Sequence, residues 1–159
     1  MRAQQVMSKS LVTCFLEDDL NRAAQLMWEH DCGVVPVIDG DGHAVGMLTD
    51  RDICMAAYTQ GNALREIAVT SAMSKRLYGC RPDDTLDQVQ AIMRENKVRR
   101  LPVLDREDRP IGIISFSDLL HAALTEHSIA PGEADGVSMS AAAWTLAAIC
   151  AAPLGPKAA

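Results

Sequence analysis

Residues 45–53 read VGMLTDRDI: an apolar run, then Gly46, Thr49 and Asp52 at intervals of three, with Asp50 and Arg51 between. A threonine followed three residues on by an acid is close to a capping box. Carboxylates in a first helical turn also suit the positive end of the helix dipole. The same residue types could hold a nucleotide. Glycine lets a ligand approach a strand backbone. Free N–H groups at a helix start, helped by a hydroxyl, suit phosphate. A carboxylate one turn further in can accept hydrogen bonds from both hydroxyls of a ribose.

The pattern recurs 66 residues later as Gly112, Ser115 and Asp118. The intervening Asp50-Arg51 is replaced by Phe116-Ser117. A cap alone has no need of the glycine, so its return favours a ligand. The whole chain repeats at this period: 17 of 53 aligned positions, from residue 7 to residue 59, are identical without a gap, including Met7-Ser8-Lys9 with Met73-Ser74-Lys75 and Pro36-Val37 with Pro102-Val103. Two copies are too few for a solenoid, so a pseudo-symmetric pair is expected.

Each copy must position its motif with the same elements. EDDLNRAAQLMWEHD has helical apolar spacing, with Asp18 or Asp19 to cap its start and Gly33 past its end. VVPVI is a short buried strand in which Pro36 marks an edge or a bulge. DGDG is a turn, AVGML completes a hairpin, and DRDICMAAYTQ is a helix stopped by Gly61. Copy two follows suit, with Thr85 and Gln88 as a capping box. The chain therefore divides into repeat one (1–62), a linker (63–71), repeat two (72–127) and a C-terminal extension (128–159). The extension is Ala-rich and too short to span a bilayer; it is expected either as a helix docked on the body or a partner, or as a loosely ordered terminal segment.

The net charge of -6 argues against nucleic acid or an anionic membrane as partner. The start has no apolar signal segment. Five cysteines without a C-x-x-C pair read as reduced thiols of a cytoplasmic protein, and the histidines lack zinc spacing. His121 and His127 read as solvated helix positions, and Cys14 and Cys80 as packing residues. No nucleophile–base pair can be assembled, so no catalytic residue and no metal site is expected.

In its order of motifs, twice over, the chain resembles a tandem pair of CBS domains, a Bateman module. The carriers are Val6-Met7-Ser8 and Ala72-Met73-Ser74, Val34-Val35-Pro36-Val37 and Arg100-Leu101-Pro102-Val103, and the two Gly–Thr/Ser–Asp patterns, over about residues 6–127. The resemblance implies an α/β (α+β) fold of two β-α-β-β-α repeats packed through their sheets. Two clefts between them would bind AMP, ADP, ATP or S-adenosylmethionine. It implies that Asp52 and Asp118 hold ribose and that Thr49 and Ser115 lie near phosphate, with Arg51 and Ser117 beside them. The backbone at Val34, Val35, Pro36, Leu101 and Pro102 would contact adenine, with Thr13 on the first strand. A flat homodimer, an effector protein in trans and a regulatory rather than catalytic role follow from the same resemblance. A ligand-free interaction scaffold is the alternative.

Some residues depart from the family pattern. Gly79 stands where copy one has Thr13, and Arg99-Arg100 where it has Gly33-Val34. Residues 6–59 carry three basic and nine acidic side chains, and residues 72–125 nine and eight. The two clefts should therefore be electrically unequal, and phosphate should prefer the one reached by Arg99 or Arg100; the alternative is that these arginines lie on a solvated strand face.

Overall fold

The computed structural model describes residues 1–126; His127 and the extension 128–159 lie outside the described residues. A short helix α1 (Ala3–Val6) leads into repeat one: β1 (Cys14–Phe15), α2 (Leu20–Glu29), β2 (Val34–Ile38), β3 (Ala44–Thr49) and α3 (Asp50–Gln60). Repeat two contains α4 (Leu86–Asn96), β4 (Arg100–Leu104), β5 (Pro110–Ser115) and α5 (Phe116–Glu126). Its counterpart of β1 is a single bridge from Cys80 to Val103. Both hairpins keep one register, Val34 opposite Thr49 and Arg100 opposite Ser115.

Local signals account for most boundaries. Asp19 caps α2 by accepting from the Arg22 N–H, and Thr85 and Gln88 form the expected box on α4. Gly61, at φ 67°, closes α3 in the left-handed conformation that glycine adopts without penalty. Gly33 lies past the end of α2 as expected, and the turn itself is made by Asp31 at φ 48°, just as Lys97 at φ 54° ends α4. One expectation is corrected. Pro36 lies on the central strand of a three-stranded sheet ordered β1-β2-β3, and the irregularity falls one residue later, between Val37 and Ile38. Copy two shows why the proline is tolerated. The Pro102 carbonyl accepts from the Cys80 N–H (3.1 Å), and the Leu104 N–H donates back to the Cys80 carbonyl (2.9 Å). The donor that proline lacks thus points to a place where the short parallel partner has not yet begun.

Each repeat builds its own core, but neither is made from one copy of the sequence repeat. Ile67 and Val69, in the segment expected as a linker, are buried with Leu20, Val35, Val37 and Leu48 of repeat one. That segment forms two 3-10 turns, and Leu20 donates to the Ile67 carbonyl while Val69 donates to Asp18. Ala3 is buried with Val89, Leu101, Val103 and Ile114 of repeat two. The exchange is pseudo-symmetric: Arg2 bridges Thr85 as Ala68 bridges Asp19. Burying one Ile or Val stabilises by roughly 1.5–3 kcal/mol, so each leading segment fastens the opposite repeat.

Gly46 and Gly112 owe their conservation between the copies to this exchange. A Cβ on Gly112 would lie 2.7 Å from Met7 Sδ and 2.8 Å from the Ser8 carbonyl; on Gly46 it would lie 3.1 Å from Met73 Sδ and 3.1 Å from the Ser74 carbonyl. The expectation that glycine here makes room for a ligand is corrected: it makes room for the crossing Met-Ser segment.

Candidate functional site

The register of the two hairpins brings four loops together. Asp50 N–H donates to the Gly33 carbonyl (3.2 Å) and Phe116 N–H to the Arg99 carbonyl (2.9 Å). The end of α2 thereby sits beside the start of α3, and the end of α4 beside the start of α5. Both starts are capped. Asp52 Oδ2 accepts from the Thr49 N–H (3.0 Å) and hydroxyl (2.6 Å), and Thr49 Oγ1 accepts from the Asp52 N–H (3.1 Å). Asp118 Oδ2 does the same with Ser115, at 2.7 and 2.6 Å, and Ser115 Oγ lies 2.8 Å from Ser117 Oγ. In each carboxylate the cap occupies one oxygen. The other, Oδ1, has no hydrogen-bond partner among the described residues.

Between the repeats lies a cleft of about 1190 Å³. One wall is apolar: Ala24, Met27 and Trp28 of α2 with Ile53 and Ala57 of α3. Ala24 with Met27, and Ile53 with Ala57, fall at spacings of three and four on inward helical faces, whereas Trp28 is 88% exposed. The opposite wall is Lys97, Val98, Arg99 and Arg100, with Ser115, Phe116 and Ser117 at the start of α5. Arg76 and Tyr78 enter from the stretch following the crossing Met73-Ser74. The charged lining is Arg51, Arg76, Lys97, Arg99 and Arg100 against Asp31, Asp50 and Asp52, a cationic excess in an acidic chain. Among the described residues none of the five cations makes an ion pair; those present are His43–Asp39 and Arg81–Asp108.

Of the residues singled out in the sequence, Val34, Thr49, Arg51, Asp52, Arg99, Arg100, Ser115 and Ser117 line this one cleft. Asp52 thus shares it with both arginines. Val35, Pro36, Leu101 and Pro102 have buried side chains below 2% exposure and are not among the residues that line the cleft. Thr13, ahead of β1, and Asp118 are half-buried and do not line this cleft. Sequence reasoning passed over Trp28, Asp31, Cys32, Cys54, Arg76, Tyr78, Lys97 and Phe116. Asp31 and Lys97 were findable: they are equivalent in the repeat and follow the last helical turn.

Other reactive groups are explained locally. Cys14 and Cys80 are buried, and their thiols are pushed up to about 12, first by desolvation and then by Asp18 and Asp84 respectively. Burial likewise raises the Cys32 thiol, against the opposing pull of the Val34 N–H and Arg100. Asp39, Asp41 and His43 place possible metal-ligand atoms within 4.8 Å of one another. However, the copy-two turn makes the same bonds without a histidine. Asp39 Oδ1 accepts from the N–H groups of Asp41 and His43, and Asp105 Oδ1 from those of Glu107 and Arg109. The turn therefore accounts for the cluster. His121 is an exposed position of α5. No described helix is long and apolar enough to cross a membrane.

Comparison with known proteins agrees with this architecture. The CBS domain model matches twice, at residues 3–58 and 64–125. A CBS domain-containing protein, YhcV, of Bacillus subtilis is 33% identical over 113 residues, covering 71% of this chain and 79% of that one. Hypoxic response protein 1 of Mycobacterium tuberculosis is 34% identical over 119 residues, covering 74% and 82%. The CBS domain pair of protein MJ0100, solved with 5-methylthioadenosine and S-adenosyl-L-methionine, superposes with a TM-score of 0.69 at 22% identity, over 81% of this chain and 98% of that one. At that identity the likeness speaks for the fold.

Proposed function

We propose, from the premise that this chain belongs to the CBS-domain family as a tandem pair, that it is a regulatory module whose cleft binds an adenine nucleotide. It acts in trans, through a nucleotide-dependent surface or dimer state presented to an effector protein, and serves as an energy sensor rather than a catalyst. One observation carries the reading: the free Oδ1 of Asp52 shares a cleft with two capped helix starts and with Arg99 and Arg100. In that arrangement Asp52 accepts from a ribose hydroxyl, Thr49 caps the helix beside it, and Ser115 and Ser117 lie toward phosphate. The base lies at Val34, against the backbone of Val35-Pro36 or Leu101-Pro102. A related pair accommodates adenosine compounds on the same fold.

The dimer is part of the proposal. Tyr58 and Met55, 81% and 45% exposed, leave apolar surface on α3 that a symmetric copy would cover. A cytoplasmic location is part of it too, consistent with free thiols at Cys14, Cys32, Cys54 and Cys80. The scaffold reading draws on a separate observation: Thr85 and Gln88 build the same kind of box on α4, away from this cleft. A melting-temperature panel with AMP, ADP, ATP and S-adenosylmethionine separates the two. A ligand at about a hundred times its Kd stabilises by roughly 2.7 kcal/mol, about 5–10 °C for a chain of this size. No shift with any of the four at millimolar concentration would favour the scaffold.

A further inference from the structure

Resting on the nucleotide reading, we infer that the cleft selects its ligand by charge: it takes a polyphosphate nucleotide, with the phosphates against Lys97, Arg99 and Arg100, and discriminates against uncharged and sulfonium adenosine compounds. The repeat supplies an internal control. Lys97, Arg99 and Arg100 are the counterparts of Asp31, Gly33 and Val34. All six line the same cleft. Copy one builds the same left-handed helix end, the same strand register and the same carbonyl contact to the next helix with an acid and two uncharged residues. The fold therefore does not require cations at these positions. Neither does ion pairing: Arg81, elsewhere in repeat two, lies 2.6 Å from Asp108, whereas none of the three pairs with a carboxylate among the described residues.

Lys97 and Arg99 are exposed and Arg100 is half-buried, so water screens their mutual repulsion, and an arriving phosphate adds the counter-charge that the repeat-two side lacks. The distribution also orients the ligand. Asp31 and Asp50 belong to the repeat-one side with Asp52, so phosphate is disfavoured there and the sugar favoured. Phosphate is favoured across the cleft, where guanidinium groups bond oxyanions in pairs. A sulfonium in place of the phosphates would meet the cationic wall.

The test is calorimetry at low and high salt with ATP, AMP, adenosine, S-adenosylmethionine and inorganic tripolyphosphate. The proteins are the wild type, Arg99→Ala/Arg100→Ala and Arg99→Lys/Arg100→Lys. The expected order is ATP over AMP over adenosine, with S-adenosylmethionine below AMP. Tripolyphosphate should compete with ATP, and salt should weaken ATP more than adenosine. The alanine pair should lose about tenfold or more for ATP and little for adenosine, and the lysine pair should recover part of the loss. Adenosine or S-adenosylmethionine binding as tightly as ATP would overturn charge selection while leaving the nucleotide reading in place. Tripolyphosphate binding with no adenosine compound bound would do the reverse. Failure of both ATP and tripolyphosphate to bind would overturn the inference, as would unchanged ATP affinity in the alanine pair.

Discussion

At the scale of the residue, Asp52 has two carboxylate oxygens whose parts its sequence context could not separate. One oxygen completes the helix cap and the other is left over. Capping and ligand binding are not exclusive at TxxD, since a carboxylate has lone pairs enough for both. What stayed hidden was which acid shares a cleft with the arginines, because that depends on contacts between repeats. The buried thiols lead to a prediction about alkaline pH. Cys14 and Cys80 are held up near 12 when folded, from an ordinary value of 9.0. A raised folded value means stability that is complete below about pH 9 and lost as pH climbs toward 12. Each thiol contributes a decline of up to about 1.4 kcal/mol per pH unit within that window. Urea unfolding at pH 8, 9 and 10 should show Cys14→Ala/Cys80→Ala less stable at pH 8 but with a shallower alkaline decline. Parallel declines in variant and wild type would refute the assignment.

At the scale of the element, helices, hairpins and caps were legible because their signals are local: Asp19, Thr49, Thr85 and Gly61 all act where their residue types suggest. The glycines of the motif were misread because their partners are distant in the chain. Met7 packs on Gly112 and Met73 on Gly46, contacts that no short-range periodicity reports. Pro36 misled for a related reason, since its tolerance depends on how short β1 is. Gly112→Ala should cost about 1–3 kcal/mol by overpacking against Met7 and a backbone carbonyl that cannot swing away. Gly46→Ala, with contacts a few tenths of an ångström longer, should cost less. Adding Met7→Ala should recover only part of the Gly112→Ala loss, since the Ser8 carbonyl stays. Chemical unfolding of the three variants and the wild type measures this; equal stability of Gly112→Ala and wild type would contradict the packing account.

At the scale of the molecule, the repeat visible in the sequence is not the unit that folds. Each core is closed by the segment that leads the other copy, Ile67 and Val69 on one side and Ala3 on the other. Ser8 and Ile113 add two reciprocal backbone bonds, 2.8 and 3.0 Å. Removing residues 1–8 should therefore weaken repeat two by roughly 3 kcal/mol or more, about 5–10 °C in melting temperature, with amide protection lost first near Ile113. An unchanged melting temperature would show the segment to be dispensable. The same exchange holds the two repeats about one cleft, which is lined by Asp52 of one repeat and Arg99 of the other. The most direct test is calorimetric titration of ATP into wild type, Asp52→Asn and Asp118→Asn. Asparagine keeps an oxygen for the cap but loses the charged acceptor that would hold ribose. The account predicts about a ten- to hundredfold weaker Kd for Asp52→Asn, with little change for Asp118→Asn and both variants folded. Unchanged affinity in Asp52→Asn would contradict it and leave Asp52 as a helix cap alone.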